Sequence, residues 1–239
     1  MKKINSDTAE LMAEKFRNEN LEVSLKEPIN IKAAIRKLNL VVAYRPLSDG
    51  CCGLSVKTKI NENMFVLVNS NMTRGRQHFT VAHELFHLFY DNEPAPHLCR
   101  DEWGSRDVSE INANAFASAL LLPKAGLLNR LLPEELASKE ISMASVIRIE
   151  QYYGVSRSAL LYRLKGLKLI STAVFNTLKA VNVMDSVKQL GLDVSLYHNG
   201  NENLVMGDFG EKAKLLYDRE KISEGHYNEL INLISDGKN

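Results

Sequence analysis

Phe79-Thr80-Val81-Ala82-His83-Glu84-Leu85-Phe86-His87-Leu88-Phe89 sets two histidines and a glutamate in an otherwise apolar run. As a helix it sends His83 and His87, four residues apart, from the same face one turn apart, close enough for both imidazoles to grip one metal ion. Glu84 is rotated about 100° from His83, so its carboxylate can reach a water on that ion without being a ligand. Phe79, Ala82, Phe86 and Phe89 follow a 3, 4, 3 spacing, with Val81, Leu85 and Leu88 in the adjacent row. This predicts a helix that is apolar nearly all round and therefore buried. Two histidines and a glutamate are costly there unless something compensates them. The bland alternative is a pair of core histidines with backbone or carboxylate partners and Glu84 in a salt bridge. It suits a lone histidine better than this trio on one helix.

Upstream, residues 7 to 20 read as an amphipathic helix, and Pro28 as the first turn of a second with Ile31, Ala34, Ile35 and Leu38 on its buried face. Strands are expected over Leu40 to Tyr44, Cys52 to Lys57 and Phe65 to Asn69, separated by turn-rich segments at Pro46 to Gly50 and Asn61 to Asn63. Downstream, Asp91 to Gly104 reads as loop, and a helix begins near Ser109 and ends before Pro123. A catalytic zinc usually keeps three protein ligands and leaves the fourth position to water, so a third ligand is expected downstream. Glu110 and Asn114 share a face with Ala113 and Ala117, small residues that allow a close approach to the histidine helix. Spacing leaves Glu110 open between two roles, because Asp107-x-x-Glu110 reads equally well as a capping box. Two helices, a small sheet and a metal-binding helix packed on it make an α+β layout.

The two blocks together resemble a known family. Arg76-Gln77-His78-Phe79-Thr80-Val81-Ala82-His83-Glu84-Leu85-Phe86-His87, then Glu110-Ile111-Asn112-Ala113-Asn114-Ala115-Phe116-Ala117-Ser118-Ala119-Leu120-Leu121-Leu122-Pro123, is similar to the ImmA/IrrE family of zinc metallopeptidases. That family's pattern is an arginine-led RxxFTxAHExxH followed by an ExxANxFAxxLLxP helix, and the likeness runs over roughly residues 25 to 170. It implies a zincin-like metallopeptidase domain with one zinc per chain, His83, His87 and Glu110 as ligands and Glu84 as the catalytic residue. Asn114, one turn after Glu110, is the candidate for orienting a ligand. One departure is Phe86, where the family often has glycine before the second histidine. It is expected to crowd the helix-sheet packing without touching the metal chemistry.

Such a zinc activates a water and polarises the scissile carbonyl, while Glu84 takes the proton and hands it to the departing amine. The oxyanion needs another hydrogen-bonding or positive group. His78, His97, Tyr90, Arg74 and Arg106 stand near the motif in sequence, and the sequence does not choose among them.

Composition sets broader bounds. Thirty basic against 29 acidic residues give +1 over 239 residues, so no global charge argues for nucleic acid, membrane or an acidic substrate. The polar start of the chain suggests no secretory signal, and no run is long enough to span a bilayer. The odd count of three cysteines, with Cys51 and Cys52 adjacent, suits a reducing cytoplasm rather than a disulfide framework. Cys99 is a minor alternative ligand.

Three regions are expected: a zincin-like metallopeptidase domain over 1–125, a helix-turn-helix-like segment over 126–170, and a small C-terminal α/β interaction or regulatory domain over 171–239. Residues 142–153, a turn at Gly154-Val155-Ser156 and residues 157–164 shape the middle one. From Met143 to Ile170 the basic residues Arg148, Arg157, Arg163, Lys165 and Lys168 face Glu150 alone, 5 − 1 = +4. A helical cap with a solvated basic face is the plainer reading of that excess, and DNA contact is not favoured. In the last region, Leu178 to Leu190 reads as one helix, with strands at Val194 to Tyr197 and Leu204 to Met206. The expected function is a cytoplasmic zinc endopeptidase that cleaves a protein, by resemblance a helix-turn-helix transcriptional repressor, and so derepresses its target genes. The alternative is a non-proteolytic regulator that uses the zincin fold and the basic helical segment to bind DNA or a protein partner.

Overall fold

Asn5 caps the first helix by accepting the Thr8 amide at 2.8 Å. This helix, α1 (Ser6–Phe16), buries Ala9, Ala13 and Phe16 and runs into one π turn over Arg17–Leu21. The computed structural model describes residues 2–58, 63–91, 97–100 and 107–235. Helix α2 (Ile31–Lys37) starts at Asn30, whose side chain accepts the Ala33 amide, rather than at Pro28. A side chain that satisfies an orphan amide defines the start better than a proline that merely fits a first turn.

Three strands follow, β1 (Leu40–Arg45), β2 (Cys51–Lys57) and β3 (Met64–Asn69), then helix α3 (Arg74–Tyr90), strand β4 (His97–Arg100) and helix α4 (Val108–Leu121). The remaining helices are α5 (Lys124–Arg130), α6 (Pro133–Ser138), α7 (Met143–Tyr153), α8 (Arg157–Gly166), α9 (Thr172–Ala180) and α10 (Val183–Gln189), and after strand β5 (Val205–Met206) come α11 (Phe209–Asp218) and α12 (Glu224–Ser235). Among the described residues the five strands form one mixed sheet in the order β4-β2-β3-β1-β5. Strands β1 and β3 are parallel, pairing Val42 with Val66 and Tyr44 with Val68, and the other pairings are antiparallel. The fold is mixed α+β, as the layout predicted.

α3 lies across β2 and β3 and packs on α4, which in turn packs on α1. Gly53 permits that closeness, because a Cβ there would sit 2.7 Å from both the Leu67 carbonyl oxygen and Thr80 Cγ2. On α4, Ala113 and Ala117 are fully buried, the small residues that the close approach required. The Phe86 ring joins Tyr90 and Phe116 in an aromatic cluster, with centroids 5.6 and 5.8 Å away.

Gly154, with φ +65°, ends α7, and Ser156 caps α8 by accepting the Ala159 amide. Beyond residue 170 the structure departs from two readings. The single helix expected over Leu178 to Leu190 is broken at Val181-Asn182, where Asn182 caps α10 through the Asp185 amide. Val194 to Tyr197 is not a strand. Asp193 accepts both the amide and the hydroxyl of Ser195 and curls Ser195–Tyr197 into a 3-10 turn. β5 pairs with β1 of the main sheet rather than with a neighbour of its own. Among the described residues no single helix is long and apolar enough to cross a membrane, and the bent pair α4–α5 that approaches the length has Phe116, Leu120 and Leu127 in the protein core.

Candidate metal centre

α3 carries His83 and His87 on the face that meets α4, and Glu110 rises to them from the first turn of α4. The Nε2 atoms of the two histidines are 3.1 Å apart. Glu110 places Oε2 3.5 Å from His83 Nε2 and Oε1 3.3 Å from His87 Nε2. At the head of α4, Asp107 accepts the Ser109 amide, so the carboxylate of Glu110 is directed at the histidines while a neighbour serves the cap. Spacing had left that choice open.

Each imidazole is pinned from behind. Asn114 Oδ1 lies 3.0 Å from His83 Nδ1, and Asp91 Oδ2 lies 2.6 Å from His87 Nδ1. Asp91 is held in turn by the Ser109 hydroxyl, which donates to it at 2.9 and 3.0 Å. With oxygen acceptors at both Nδ1 positions, the Nε2 lone pairs are left facing the shared point, which is how metal-binding histidines are oriented. Two lone pairs that close repel unless a cation or a proton stands between them. Asp91 and Ser109 escaped the sequence reading. Asp91 stands four residues after His87 on the same face, but at a helix end that read as loop.

Glu84 is fully buried, and neither carboxylate oxygen has a well-formed hydrogen bond, the Ser55 hydroxyl giving only partial relief. One of its oxygens lies within 4.8 Å of a His83 ring nitrogen. Burial pushes its pKa up, with His83 pulling the other way. Burial raises Glu110 as well, but hydrogen bonds from His83 and His87 outweigh it and hold Glu110 well below the carboxylate range. His87 is lowered by burial and raised by Glu110 and Asp91, which prevail.

His83, His87 and Glu110 form a group that can hold a metal ion, and His83, Glu84 and Cys99 meet the same distance limit of 4.8 Å. The second set is the poorer one, because a hydrogen bond with Cys52 and then burial push the Cys99 thiol up, and it is the thiolate that ligates metals. His78 Nδ1 is 2.8 Å from the Gly154 carbonyl oxygen, Tyr90 belongs to the aromatic cluster, and Arg74 lies against Gly200. Arg106 and the side chain of His97 lie outside the described residues. Of the basic residues counted along α7 and α8, Arg157 is buried in an ion pair with Glu150 and Arg163 in one with Glu10.

A family model described as the IrrE N-terminal-like domain, a peptidase family, matches residues 36–165, more than half of the 239-residue chain. The match spans β1 to α8 and includes His83, Glu84, His87 and Glu110. Among curated proteins no sequence matches the chain. With the paired motif blocks and a convergent donor set inside the matched span, the chain belongs to the IrrE N-terminal-like, or ImmA/IrrE, family of metallopeptidases.

Proposed function

We propose that the chain is a zinc-dependent endopeptidase that cleaves a protein substrate, with His83, His87 and Glu110 holding one zinc and Glu84 as the general base. The observation that carries this reading is the convergence of donors: the two histidine Nε2 atoms stand 3.1 Å apart, and the Glu110 carboxylate straddles them, one oxygen 3.5 Å from His83 Nε2 and the other 3.3 Å from His87 Nε2. Zinc bonds of about 2.0–2.1 Å along tetrahedral directions separate two donor atoms by about 3.3–3.4 Å. Two imidazoles and one carboxylate leave one position open, the arrangement of catalytic rather than structural zinc sites.

Zinc bound there supplies Lewis acidity and a water acidified toward neutral pH. The protein's own residues do the rest. Asn114 and Asp91 fix the two rings, so the donors do not have to reorganise. Glu84, buried beside His83, accepts a proton from the attacking water and returns it to the departing amine. Its burial suits that task, since a base raised toward neutrality is more effective there than an ordinary carboxylate.

The substrate named by the family resemblance is a helix-turn-helix transcriptional repressor, whose cleavage in the cytoplasm derepresses the genes it silences. The buried pairing of Arg157 and Arg163 weighs against the rival reading of a DNA-binding regulator, because it withdraws two charges from the basic face. The experiment is Glu84→Gln. Zinc content is expected to stay at the parental level while cleavage of the cognate repressor is lost. Relief of repression in cells carrying Glu84→Gln would overturn the proteolytic reading.

A further inference from the structure

A cavity of about 350 Å³ opens beside His83, at the small end of the roughly 300–1,000 Å³ typical of ligand pockets. One side is α3, through Arg76, Phe79 and Thr80, and another is the first turn of α8. Cys52 of β2, Cys99 of β4 and Asn114 of α4 line the cavity too, and one further wall comes from outside the matched family domain: Val183 and Met184 at the start of α10, and Tyr197 in the 3-10 turn.

That wall is fastened on two sides. Toward α7 and α8, the Tyr197 hydroxyl donates to Glu150 at 2.8 Å, Arg157 donates to both Glu150 and the Ser186 hydroxyl, and Gln151 donates to the Asp193 carbonyl at 2.7 Å. Toward α3, the Arg74 amide donates to the His198 carbonyl at 2.9 Å, and Gln77 bonds Gly200 and Asn201. A buried ion pair is costly to assemble in a protein interior. Glu150 and Arg157 together position one side of a cleft whose other side carries a candidate metal ligand.

We propose that the start of α10 is the selectivity wall of the substrate cleft: Val183 and Met184 choose the substrate side chain next to the cleaved bond, and they accept an uncharged apolar one. This rests on the metallopeptidase reading above. Met72 and Phe79 line the same cavity, so an apolar group finds partners. Among the described residues that line the cavity, Arg76 and Arg157 carry charge, and Arg157 is paired with Glu150. A lysine or arginine side chain would be desolvated there with no carboxylate among the described lining residues to pair with it. Because the wall lies beyond the family domain, two relatives with the same metal centre can differ in selectivity through this segment alone.

The test uses the zinc-loaded full chain and three fluorescein-labelled dipeptide hydroxamates, identical except for leucine, tryptophan or lysine beside the zinc-binding group. Affinity is read by anisotropy. The parent is expected to bind the leucine compound best and the lysine compound at least about tenfold more weakly. Met184→Ala is expected to shift the leucine-to-tryptophan preference about tenfold toward tryptophan, with zinc stoichiometry and thermal midpoint as in the parent. A preference within about twofold of the parent in both Met184→Ala and Val183→Ala, or equal binding of the lysine compound by the parent, would overturn the proposal and leave the metallopeptidase reading standing. No binding of any hydroxamate by zinc-loaded parent would remove the metallopeptidase reading and this proposal with it.

Discussion

At His83 and His87 the decisive atoms are the two Nδ1 nitrogens, because their partners determine which nitrogen is left for a metal. Asp91, 2.6 Å from His87 and steadied by the Ser109 hydroxyl, is expected to matter nearly as much as a ligand. Asp91→Ala should weaken zinc binding about 10–100-fold, measured by competition with a chromophoric chelator. An unchanged affinity would reduce Asp91 to a helix-end residue. The donor histidines were legible because their spacing is itself the signal. Glu110 was half legible, since one sequence pattern fits a cap and a ligand equally. Asp91 was not, because its role depends on α4 bringing Ser109 across from another element.

The close approaches between elements depend on residues that have no side chain to spare. At Gly75, near the start of α3, a Cβ would stand 2.7 Å from the Ser156 amide nitrogen and 2.9 Å from the Val155 carbonyl carbon. These are backbone atoms, which cannot swing aside. Gly75→Ala should therefore destabilise the protein by about 1–3 kcal/mol, read from urea unfolding. Unchanged stability would show that α3 and α8 have room to part. The α7–α8 turn was readable because Gly154 and Ser156 act locally. The α9–α10 break was not, since the apolar pattern runs on through it and only the Asn182 cap interrupts the helix. The charge count along α7 and α8 misled for a related reason: Arg163 finds its partner in Glu10 of α1, far away in sequence.

In the whole molecule, residues 198–206 tie the C-terminal part to the core that carries His83 and His87. Gln77, fully buried on α3, turns its amide nitrogen toward the Ser70, Met72 and Gly200 carbonyls and accepts from Asn201, while β5 extends the sheet at β1. Gln77→Leu would strand these buried groups and should cost about 1–3 kcal/mol, visible as a lower urea midpoint. No shift would mean that the strap is held by β5 alone. The matched family domain ends at residue 165, and the attachment of this part was legible only in three dimensions. The α+β class and the order of the first elements, by contrast, follow from local periodicity and turn chemistry.

The claim on which the rest depends is that His83, His87 and Glu110 hold one zinc. Elemental analysis of the purified full chain, beside Glu110→Ala and Glu84→Gln, tests it most directly. One zinc per chain in the parent and in Glu84→Gln, with most of it lost in Glu110→Ala, is the predicted result. Equal zinc in Glu110→Ala and the parent would contradict the assignment and return Glu110 to the helix cap.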